Sequence, residues 1–428
     1  MVSRSLAAVW HPCTQMKHHE TIPLIPLKSG KGIWLYDAQG NRYLDAISSW
    51  WTNLFGHTHP SITGAIKTQL DTLEHAMLAG CTHEPVIELS ERLGQKTNGQ
   101  LGHAFYASDG ASAVEIALKM SFHYWRNVGK SSKTEFVALE NSYHGETLGA
   151  LSVTDVALFK DTYQSLLKVS HLTLAPDNRH ATEQLTEIDI AINAAKNLEE
   201  ILEIHHDTIA AVILEPLVQC ATGMVMHHPE YLKLVRQLCD QYHVHLIADE
   251  IAVGCGRTGT FFACEQAGIW PDLLTLSKGI SGGYLPLSVC LSSDQIYQSF
   301  YHDTFSRGFL HSHSFTGNPL ACAAANATLD LFDQLNTLEN NKLLGAHLDQ
   351  AFAWVNADSR FSHLRRCGMI LAFDYMNSPP TFSRDIFTHG LEQEILIRPI
   401  GNTVYIMPPY VISMDEIDFL SSAIRKCV

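Results

Sequence analysis

Short apolar runs alternate with longer amphipathic stretches between about residues 60 and 320. The uninterrupted hydrophobic character of these runs is typical of strands that are covered on both faces of a sheet. The predicted strands are 103–108, 135–140, 209–216, 244–250, 273–279 and 287–293. Helices are predicted at 111–125 and 229–243, the second with Pro229 in its first turn. This alternation predicts an α/β fold with a parallel or mostly parallel sheet.

The pattern changes after about residue 325. A long helical stretch leads into the apolar segment 364–376, a helix near 383–393 and a further segment at 395–410. This order is typical of a smaller α+β domain. The predicted division is therefore an N-terminal segment joining the small domain, a large domain and a C-terminal small domain. Their predicted bounds are 1–55, 56–325 and 326–428.

Composition narrows the class of protein. The formal net charge is −15, from 44 acidic and 29 basic residues, and no Lys/Arg block occurs, which argues against nucleic acid and anionic membranes as partners. No run of about 18 apolar residues suggests a membrane span, and the N-terminus lacks the pattern of a signal peptide. The ten cysteines are scattered, as expected for reduced thiols. We expect a cytoplasmic enzyme.

Two predicted strands end in charged residues. The run 244–250 ends in Asp249 and Glu250, and the run 273–279 ends in Lys278 and a glycine. Taken alone, the aspartate could be a helix cap and the lysine a surface group. Ligands of open α/β sheets bind at these strand ends, however, and a desolvated lysine is a nucleophile toward aldehydes. A lysine with an anionic partner for a ring nitrogen is the pair that pyridoxal 5′-phosphate requires.

Two loops offer further groups for such a cofactor. Gly110 and Ala111 open a predicted helix with bare backbone N–H groups, which favour a phosphate. Asp109 and Ser112 could instead cap that helix, and the two roles can coexist. Tyr143 follows the strand 135–140, where it could stack on a planar ring or simply be a core residue.

Over nearly its whole length the chain resembles the class III (ornithine-type) aminotransferases. The most specific matching segments are LEPLVQCATGM (214–224), the stretch 246–283 and SFTGNPLACAAA (314–325). The resemblance implies a pyridoxal-phosphate-dependent transferase fold of the aspartate aminotransferase type. Its large domain would have three layers around a mostly parallel sheet, and its smaller domain would be α+β.

The resemblance also assigns roles to residues. It implies that Lys278 holds pyridoxal 5′-phosphate as a Schiff base and that Asp249 pairs with the pyridinium nitrogen. Ser314 would reach the phosphate bound by a neighbouring subunit, which implies a homodimer. The other implied cofactor contacts are Gly110 and Ala111 at the phosphate, Tyr143 on the ring and Gln219 at the phenolic oxygen.

Within this class, three segments resemble the members that convert 8-amino-7-oxononanoate to 7,8-diaminononanoate in biotin synthesis, with S-adenosylmethionine as amino donor. The segments are WHPCTQM (10–16), SSWW (48–51) and 397–410. The substrate is an apolar chain that ends in a carboxylate, so its site needs aromatic walls and a cation. The implied substrate contacts are Trp50, Ser312, Arg398 and Tyr405, with Trp51 as a further aromatic candidate. Core packing and an ordinary ion pair are the alternatives for the tryptophans and the arginine.

The chain also departs from these relatives. Cys13 replaces a common tyrosine, Glu146 replaces the usual aspartate, and Ser312 and Ser314 stand where glycine and threonine are common. The first two changes leave the amino donor open between S-adenosylmethionine and lysine. Another ω-aminotransferase activity is a further alternative.

Three other classes of protein are less well supported. The segment GCGRTG (254–259) matches a dinucleotide-binding pattern, but the sequence after it is too short and too glycine-bounded for the required helix. Arg257 in this loop is either a contact for a substrate carboxylate or part of a structural pair. The 24 histidines lack the carboxylate or thiol spacing of a zinc site. A non-enzymatic binding protein would not need the Lys278–Asp249 pair.

Overall fold

The structure is a computed structural model that describes residues 1–22 and 24–428. The chain divides into two compact units, one formed by Met1–Pro60 with Asn341–Val428 and the other by Ser61–Asn340. The domain boundaries after residues 55 and 325 stay predictions. None of the helices in the described ranges combines the length and the apolar character needed to cross a bilayer.

The elements are numbered here in chain order. The strands are β1 (Leu27–Lys31), β2 (Trp34–Asp37), β3 (Arg42–Asp45), β4 (His103–Ala107), β5 (Glu135–Leu139), β6 (His171–Thr173), β7 (Ile209–Leu214), β8 (Val218–Gln219), β9 (Val225–Met226), β10 (His245–Asp249), β11 (Leu273–Leu276), β12 (Ser288–Ser292), β13 (Phe361–Cys367), β14 (Ile370–Tyr375), β15 (Ile395–Leu396) and β16 (Thr403–Ile406). The helices are α1 (Val2–Ala8), α2 (Pro60–Leu70), α3 (Glu84–Lys96), α4 (Gly110–Asn127), α5 (Leu148–Ser152), α6 (Ala157–Lys160), α7 (Glu187–His205), α8 (Glu230–Gln241), α9 (Asp294–Phe300), α10 (Pro319–Gln334), α11 (Thr337–Ala351), α12 (Phe382–Glu392) and α13 (Met414–Cys427). Short 3-10 helices cover Met16–Glu20, Asp161–Leu166, Asn178–His180, Ala263–Ala267, Lys278–Ser281, Phe305–Arg307 and Ala353–Ala357.

A seven-stranded sheet forms the centre of the unit Ser61–Asn340. Its strand order is β4-β12-β11-β10-β7-β5-β6. Only β12 runs antiparallel to its neighbours, β4 and β11, within this sheet. The prediction of a mostly parallel α/β sheet is therefore confirmed, and the carboxyl ends of β5, β7, β10 and β11 lie at one edge.

Burial explains why the strands of this sheet read as continuous apolar runs. Every residue of β7, β10, β11 and β12 is buried. Helix α4 supplies Val114 and Ala117 to a core that also contains Ile213, Ile247 and Leu273. Side chains on both faces of the strands are thus removed from water, which is the environment that selects apolar residues at every position.

The other unit contains two small sheets. In one, of order β1-β2-β3-β15, the C-terminal strand β15 pairs in parallel with β3, so the N-terminal and C-terminal parts of the chain share a sheet. The other has the order β13-β14-β16 and is antiparallel. The helix expected near 383–393 is α12. Helix α13 begins with a capping box between Ser413 and Glu416.

Candidate active site

Asp249 and Lys278 follow neighbouring parallel strands. Asp249 is the last residue of β10 and lies opposite Thr275 of β11, whose hydroxyl donates a hydrogen bond to Asp249 Oδ1 at 3.2 Å. Strand β11 ends at Leu276, so the predicted strand end at 279 is wrong. Lys278 instead begins a 3-10 helix and has a φ of 47°, a left-handed conformation that non-glycine residues rarely adopt.

The surroundings of Lys278 favour its neutral amine. Desolvation by burial lowers the pKa of this amine below its ordinary value. Three nearby side chains act in the opposite direction: Cys220, Asp249 and Glu215. The net effect is a larger fraction of neutral amine, which is the form that attacks an aldehyde.

A buried histidine holds the Asp249 carboxylate. His144 Nδ1 lies 2.7 Å from Asp249 Oδ2, and the carboxylate can only accept, so the ring nitrogen donates. The backbone N–H of Ile251 donates to Asp249 Oδ1 at 3.1 Å. His144 Nε2 is buried and has no hydrogen-bond partner in residues 1–22 and 24–428. Sequence reasoning missed His144, although its position directly after Tyr143 was a usable signal.

Glu215 is a second buried carboxylate at this sheet edge, and it was also missed. It follows β7, and its Oε2 and Oε1 accept hydrogen bonds from the backbone N–H groups of Tyr143 at 3.0 Å and Cys220 at 3.2 Å. Burial raises the pKa of Glu215 to about 7, an effect that His144 opposes and Asp249 increases. Glu215 therefore links two loops that carry predicted cofactor contacts.

The loop after β5 fixes the predicted stacking residue. Tyr143 is half-buried, its hydroxyl donates to Glu146 Oε1 at 3.0 Å, and its ring centroid is 5.5 Å from that of Phe159. The unusual Glu146 thus anchors the tyrosine. Gly145 has a φ of 120°, and a Cβ added there would lie 2.6 Å from Ala111 Cβ. Only glycine allows this loop to lie against the start of α4.

The start of α4 has the cap that the sequence suggested. Asp109 Oδ1 accepts from the backbone N–H of Ser112 at 2.9 Å, and Asp109 Oδ2 accepts from the Ser112 hydroxyl at 2.8 Å. Gly110 and Ala111 form the first turn of an 18-residue helix. The helix dipole favours an anion at this end, so the structural role of Asp109 leaves a phosphate contact at Gly110 and Ala111 as a prediction.

Gln219 belongs to the short hairpin of β8 and β9. Its Nε2 donates to the carbonyl of Glu140 at 2.9 Å. Its Oε1 is buried and, in the described part of the chain, has no hydrogen-bond partner. Unpartnered buried polar atoms are costly, so Gln219 Oε1 and His144 Nε2 are each able to form a hydrogen bond with a ligand. A desolvated amine, a carboxylate, an aromatic ring and a helix N-terminus in the same unit fit pyridoxal 5′-phosphate.

A left-handed turn carries the two tryptophans in the unit formed by Met1–Pro60 and Asn341–Val428. The φ angles of residues 48–51 are 50°, 47°, 71° and 72°, although none is glycine. The Ser48 hydroxyl donates to the Met407 carbonyl at 2.7 Å, and the Ser49 backbone N–H donates to Asp45 Oδ1 at 2.9 Å. Left-handed helical conformations cost roughly 1–2 kcal/mol per residue, so these contacts offset considerable strain.

The turn brings together most of the predicted substrate residues. The Arg398 guanidinium lies 4.9 Å from the centroid of the Trp50 ring, which is 42% exposed. The buried Trp51 donates through Nε1 to the Tyr405 hydroxyl at 3.1 Å. Arg398 also donates to the carbonyl of Cys13 at 3.2 Å, so the unusual cysteine borders the predicted carboxylate site. A cavity of about 490 Å³ beside them is lined by residues that include Cys13, His18, Arg384 and Arg398.

Ser312 and Ser314 are exposed on the loop between the 3-10 helix Phe305–Arg307 and α10. The Thr316 hydroxyl donates to the carbonyl of His313 at 2.7 Å, and His83 Nε2 donates to the carbonyl of Gly317 at 2.9 Å, which fixes the C-terminal part of this loop. The substrate contact of Ser312 and the phosphate contact of Ser314 stay predictions.

The segment 254–259 is not the start of a long helix. It forms consecutive turns and leads into the five-residue 3-10 helix Ala263–Ala267, which is too short for a dinucleotide-binding crossover. Arg257 is only 1% exposed, and both its substrate contact and its structural pair stay predictions. In the two described ranges, no group of three or more His, Cys, Asp or Glu side chains could hold a metal ion.

Comparison with known proteins gives the family. A model of the class-III aminotransferases matches residues 15–428. Adenosylmethionine-8-amino-7-oxononanoate aminotransferase of Helicobacter pylori is 48% identical, over 97% of this chain and 95% of the relative. The enzyme of that name from Geobacter sulfurreducens is 38% identical, over 98% and 95%.

Solved structures agree with these matches. The crystal structure of adenosylmethionine-8-amino-7-oxononanoate aminotransferase from Methanocaldococcus jannaschii has a TM-score of 0.93 at 33% identity, covering 99% of this chain and 97% of that one. An amine transaminase from an uncultivated Pseudomonas species, solved in a pyridoxal-phosphate-bound form, has a TM-score of 0.92 at 30% identity, covering 98% of each chain. The chain belongs to the class-III aminotransferases.

Proposed function

We propose that this protein uses pyridoxal 5′-phosphate to transfer an amino group from S-adenosylmethionine to 8-amino-7-oxononanoate, a step of biotin synthesis. The relatives that carry this name support the substrate pair. The observation that carries the reaction class is the placement of Lys278 and Asp249 after the neighbouring parallel strands β11 and β10. The Asp249 charge also raises the pKa of the Lys278 amine, which supports a joint role for the two groups.

Lys278 performs the proton transfers in this proposal. When bound, pyridoxal 5′-phosphate supplies an aldehyde for the amino group and a ring that accepts the electron pair of the donor's α carbon. The neutral Lys278 amine would hold the cofactor through its aldehyde and would serve as the general base that takes the proton from the donor's α carbon. The protonated lysine would then deliver this proton to the C4′ carbon of the cofactor as a general acid.

The other residues of the pocket hold the cofactor in place. Asp249 holds a proton at the ring nitrogen, and His144 fixes the orientation of the carboxylate through the 2.7 Å hydrogen bond. Tyr143 covers the ring, and Gln219 approaches the phenolic oxygen. Gly110 and Ala111 bind the phosphate through the start of α4.

The tryptophan turn and Arg398 bind the substrate. Arg398 pairs with the terminal carboxylate of 8-amino-7-oxononanoate, Trp50 and Tyr405 cover its apolar chain, and Ser312 contributes to the same site. The protein acts as a cytoplasmic homodimer, in which Ser314 contacts the phosphate bound by the partner subunit. The domain division of the sequence analysis belongs to this proposal.

The amino donor is the sharpest test. Purified enzyme with bound pyridoxal phosphate is offered S-adenosylmethionine, lysine and 4-aminobutyrate separately, and loss of the visible absorption of the lysine-linked cofactor is followed. S-adenosylmethionine is expected to bleach this band. Bleaching by lysine alone would identify lysine as the amino donor in place of S-adenosylmethionine. Cys13, which differs from the common tyrosine, borders Arg398 and makes this alternative worth testing. Bleaching by 4-aminobutyrate alone would contradict the assignment to biotin synthesis.

A further inference from the structure

Glu215 holds two separate loops of the cofactor pocket at once. One carboxylate oxygen accepts from the backbone N–H of Tyr143 and the other from that of Cys220. Tyr143 is the predicted stacking residue, and Cys220 directly follows Gln219. A displacement of this carboxylate would therefore move both walls of the pocket.

Charged and titratable groups face Glu215 from several elements. His144 and Asp249, which share a 2.7 Å hydrogen bond, both act on the charge of Glu215. Lys278 responds to the Glu215 charge as well as to that of Asp249 and to Cys220. His227 directly follows β9, and its Nε2 lies 3.3 Å from the Glu215 backbone carbonyl oxygen. Burial lowers the pKa of this histidine to about 4, so it is neutral near pH 7.

We propose that Glu215 is a positioning residue of the pyridoxal phosphate pocket: its carboxyl group fixes the backbone of both loops and, when ionised, supplies a negative charge that acts on Lys278. This inference rests on the proposed function, because it assumes that Lys278 holds the cofactor. It assigns to Glu215 no contact with the cofactor and no proton transfer. Its two effects, on geometry and on charge, are separable by experiment.

Glu250 is a matched control in the same unit. It is also buried, it accepts hydrogen bonds from two backbone N–H groups, those of Ala263 and Cys264, and burial raises its pKa to about 7. It differs from Glu215 in what it holds, since the 3-10 helix Ala263–Ala267 carries no predicted cofactor contact. The charges that act on the Lys278 amine include Glu215 and not Glu250.

The test compares the Glu215→Gln and Glu250→Gln proteins with wild type. Pyridoxal phosphate is added to cofactor-free protein, and its dissociation constant, the pH dependence of its covalent capture and the thermal unfolding of the cofactor-free protein are measured. Both variants are expected to unfold at lower temperature. Only Glu215→Gln should weaken cofactor binding, by about ten- to a hundredfold, because the amide can accept from only one of the two N–H groups.

The pH profile isolates the effect of charge. When ionised, above about pH 7, the Glu215 carboxylate raises the pKa of Lys278, so its removal leaves more neutral amine there and shifts the capture profile of Glu215→Gln to lower pH. Glu215→Asp keeps the charge but not the reach, so it should weaken binding while its profile stays near that of wild type. A stable Glu215→Gln protein with wild-type affinity and profile would overturn the proposal, as would an equal shift in Glu250→Gln.

Two further outcomes separate a failure of the Glu215 proposal from a failure of the proposed function. If neither Glu215 variant folds while Glu250→Gln does, Glu215 is a residue of the fold and the positioning role is rejected. If wild-type protein itself fails to capture pyridoxal phosphate, or the Lys278→Ala protein captures it equally well, the proposed function fails instead. The two failures are therefore distinguishable.

Discussion

Two lysines of the same unit are withdrawn from water, and they are used differently. Burial, with a smaller effect of Lys130, lowers the pKa of Lys133 to about 8, and burial also lowers that of Lys278. The Lys133 amine donates to the carbonyls of His206 at 2.6 Å and Ile209 at 3.0 Å and lies 4.6 Å from the centroid of the Trp125 ring. Its donors are engaged by the fold.

Lys278 stands in a different environment. It follows β11 in a left-handed conformation, at the sheet edge where Asp249 and Glu215 also lie. Neither a lowered pKa nor burial distinguishes the two lysines. The difference is that carbonyls and an aromatic ring surround Lys133, whereas the carboxylates of Asp249 and Glu215 act on Lys278. Desolvation alone therefore does not identify a nucleophile.

The largest expected effect separates these lysines by substitution. Lys278→Ala should lower kcat by at least about 10²–10⁴-fold, the usual contribution of a general acid–base group, with little change in thermal unfolding. Lys133→Met should lower the unfolding temperature and leave kcat nearly unchanged. It removes the two hydrogen bonds to carbonyls but leaves the surroundings of Lys278 intact. Steady-state kinetics and thermal unfolding of both variants check the pair. Normal turnover by Lys278→Ala would contradict the account.

Buried carboxylates make the effect of burial measurable, because they cause stability to depend on pH. The folded protein raises the pKa of Glu250 from 4.5 to about 7, so the folded state binds more protons than the unfolded state in that interval. Its contribution to stability is present below about pH 4.5 and is lost as the pH rises to about 7, a change on the order of 3 kcal/mol. Urea unfolding of cofactor-free wild type and Glu250→Gln from pH 4.5 to 8 should give a flatter dependence in the variant.

Asp37, in the unit formed by Met1–Pro60 and Asn341–Val428, should give stability the opposite dependence on pH. Burial would raise its pKa, but hydrogen bonds from Asn41, Tyr43 and Gln39 outweigh burial and lower it. Its contribution is therefore lost as the pH falls below the ordinary range of an aspartate. An Asp37→Asn protein whose stability falls less than wild type on acidification would agree with this sign, and a steeper fall would not.

Much of the sheet could be predicted from sequence, because β7, β10 and β11 are largely apolar, and a charged residue stands at or within two positions of the end of each: Glu215, Asp249 and Lys278. The residues that contact those charged side chains could not be predicted in this way. His144 is 105 residues from Asp249, and Tyr143 is 72 residues from Glu215, so each contact depends on which strands become neighbours. The left-handed turn at 48–51 also gave no signal, because it contains no glycine and is held by Asp45 and Met407.

The substrate cation should show a smaller effect than the cofactor lysine. Arg398 is exposed beside Trp50, so Arg398→Ala should raise the KM for 8-amino-7-oxononanoate by about tenfold and leave the visible absorption unchanged. Arg398→Lys is the matched control, because it keeps the charge but loses the planar guanidinium. An unchanged KM in Arg398→Ala would remove this residue from the substrate site.

The smallest expected effect concerns the hydrogen bond that holds Trp51 of the left-handed turn at 48–51. Tyr405→Phe removes the hydroxyl that accepts from the buried Trp51 Nε1 at 3.1 Å. A loss of about 1–3 kcal/mol of stability is expected, with at most a few-fold rise in KM. Urea unfolding and steady-state kinetics measure both quantities. A large fall in kcat at constant stability would instead indicate a direct chemical role for Tyr405.

The most direct measurement is to find which lysine carries the cofactor. The enzyme loaded with pyridoxal phosphate is treated with borohydride, which fixes a lysine linkage, and the labelled peptide is identified by mass spectrometry. The account predicts one phosphopyridoxyl group per chain, on Lys278. A label on Lys133 or another lysine, or no label in protein that is active with pyridoxal phosphate, would contradict it.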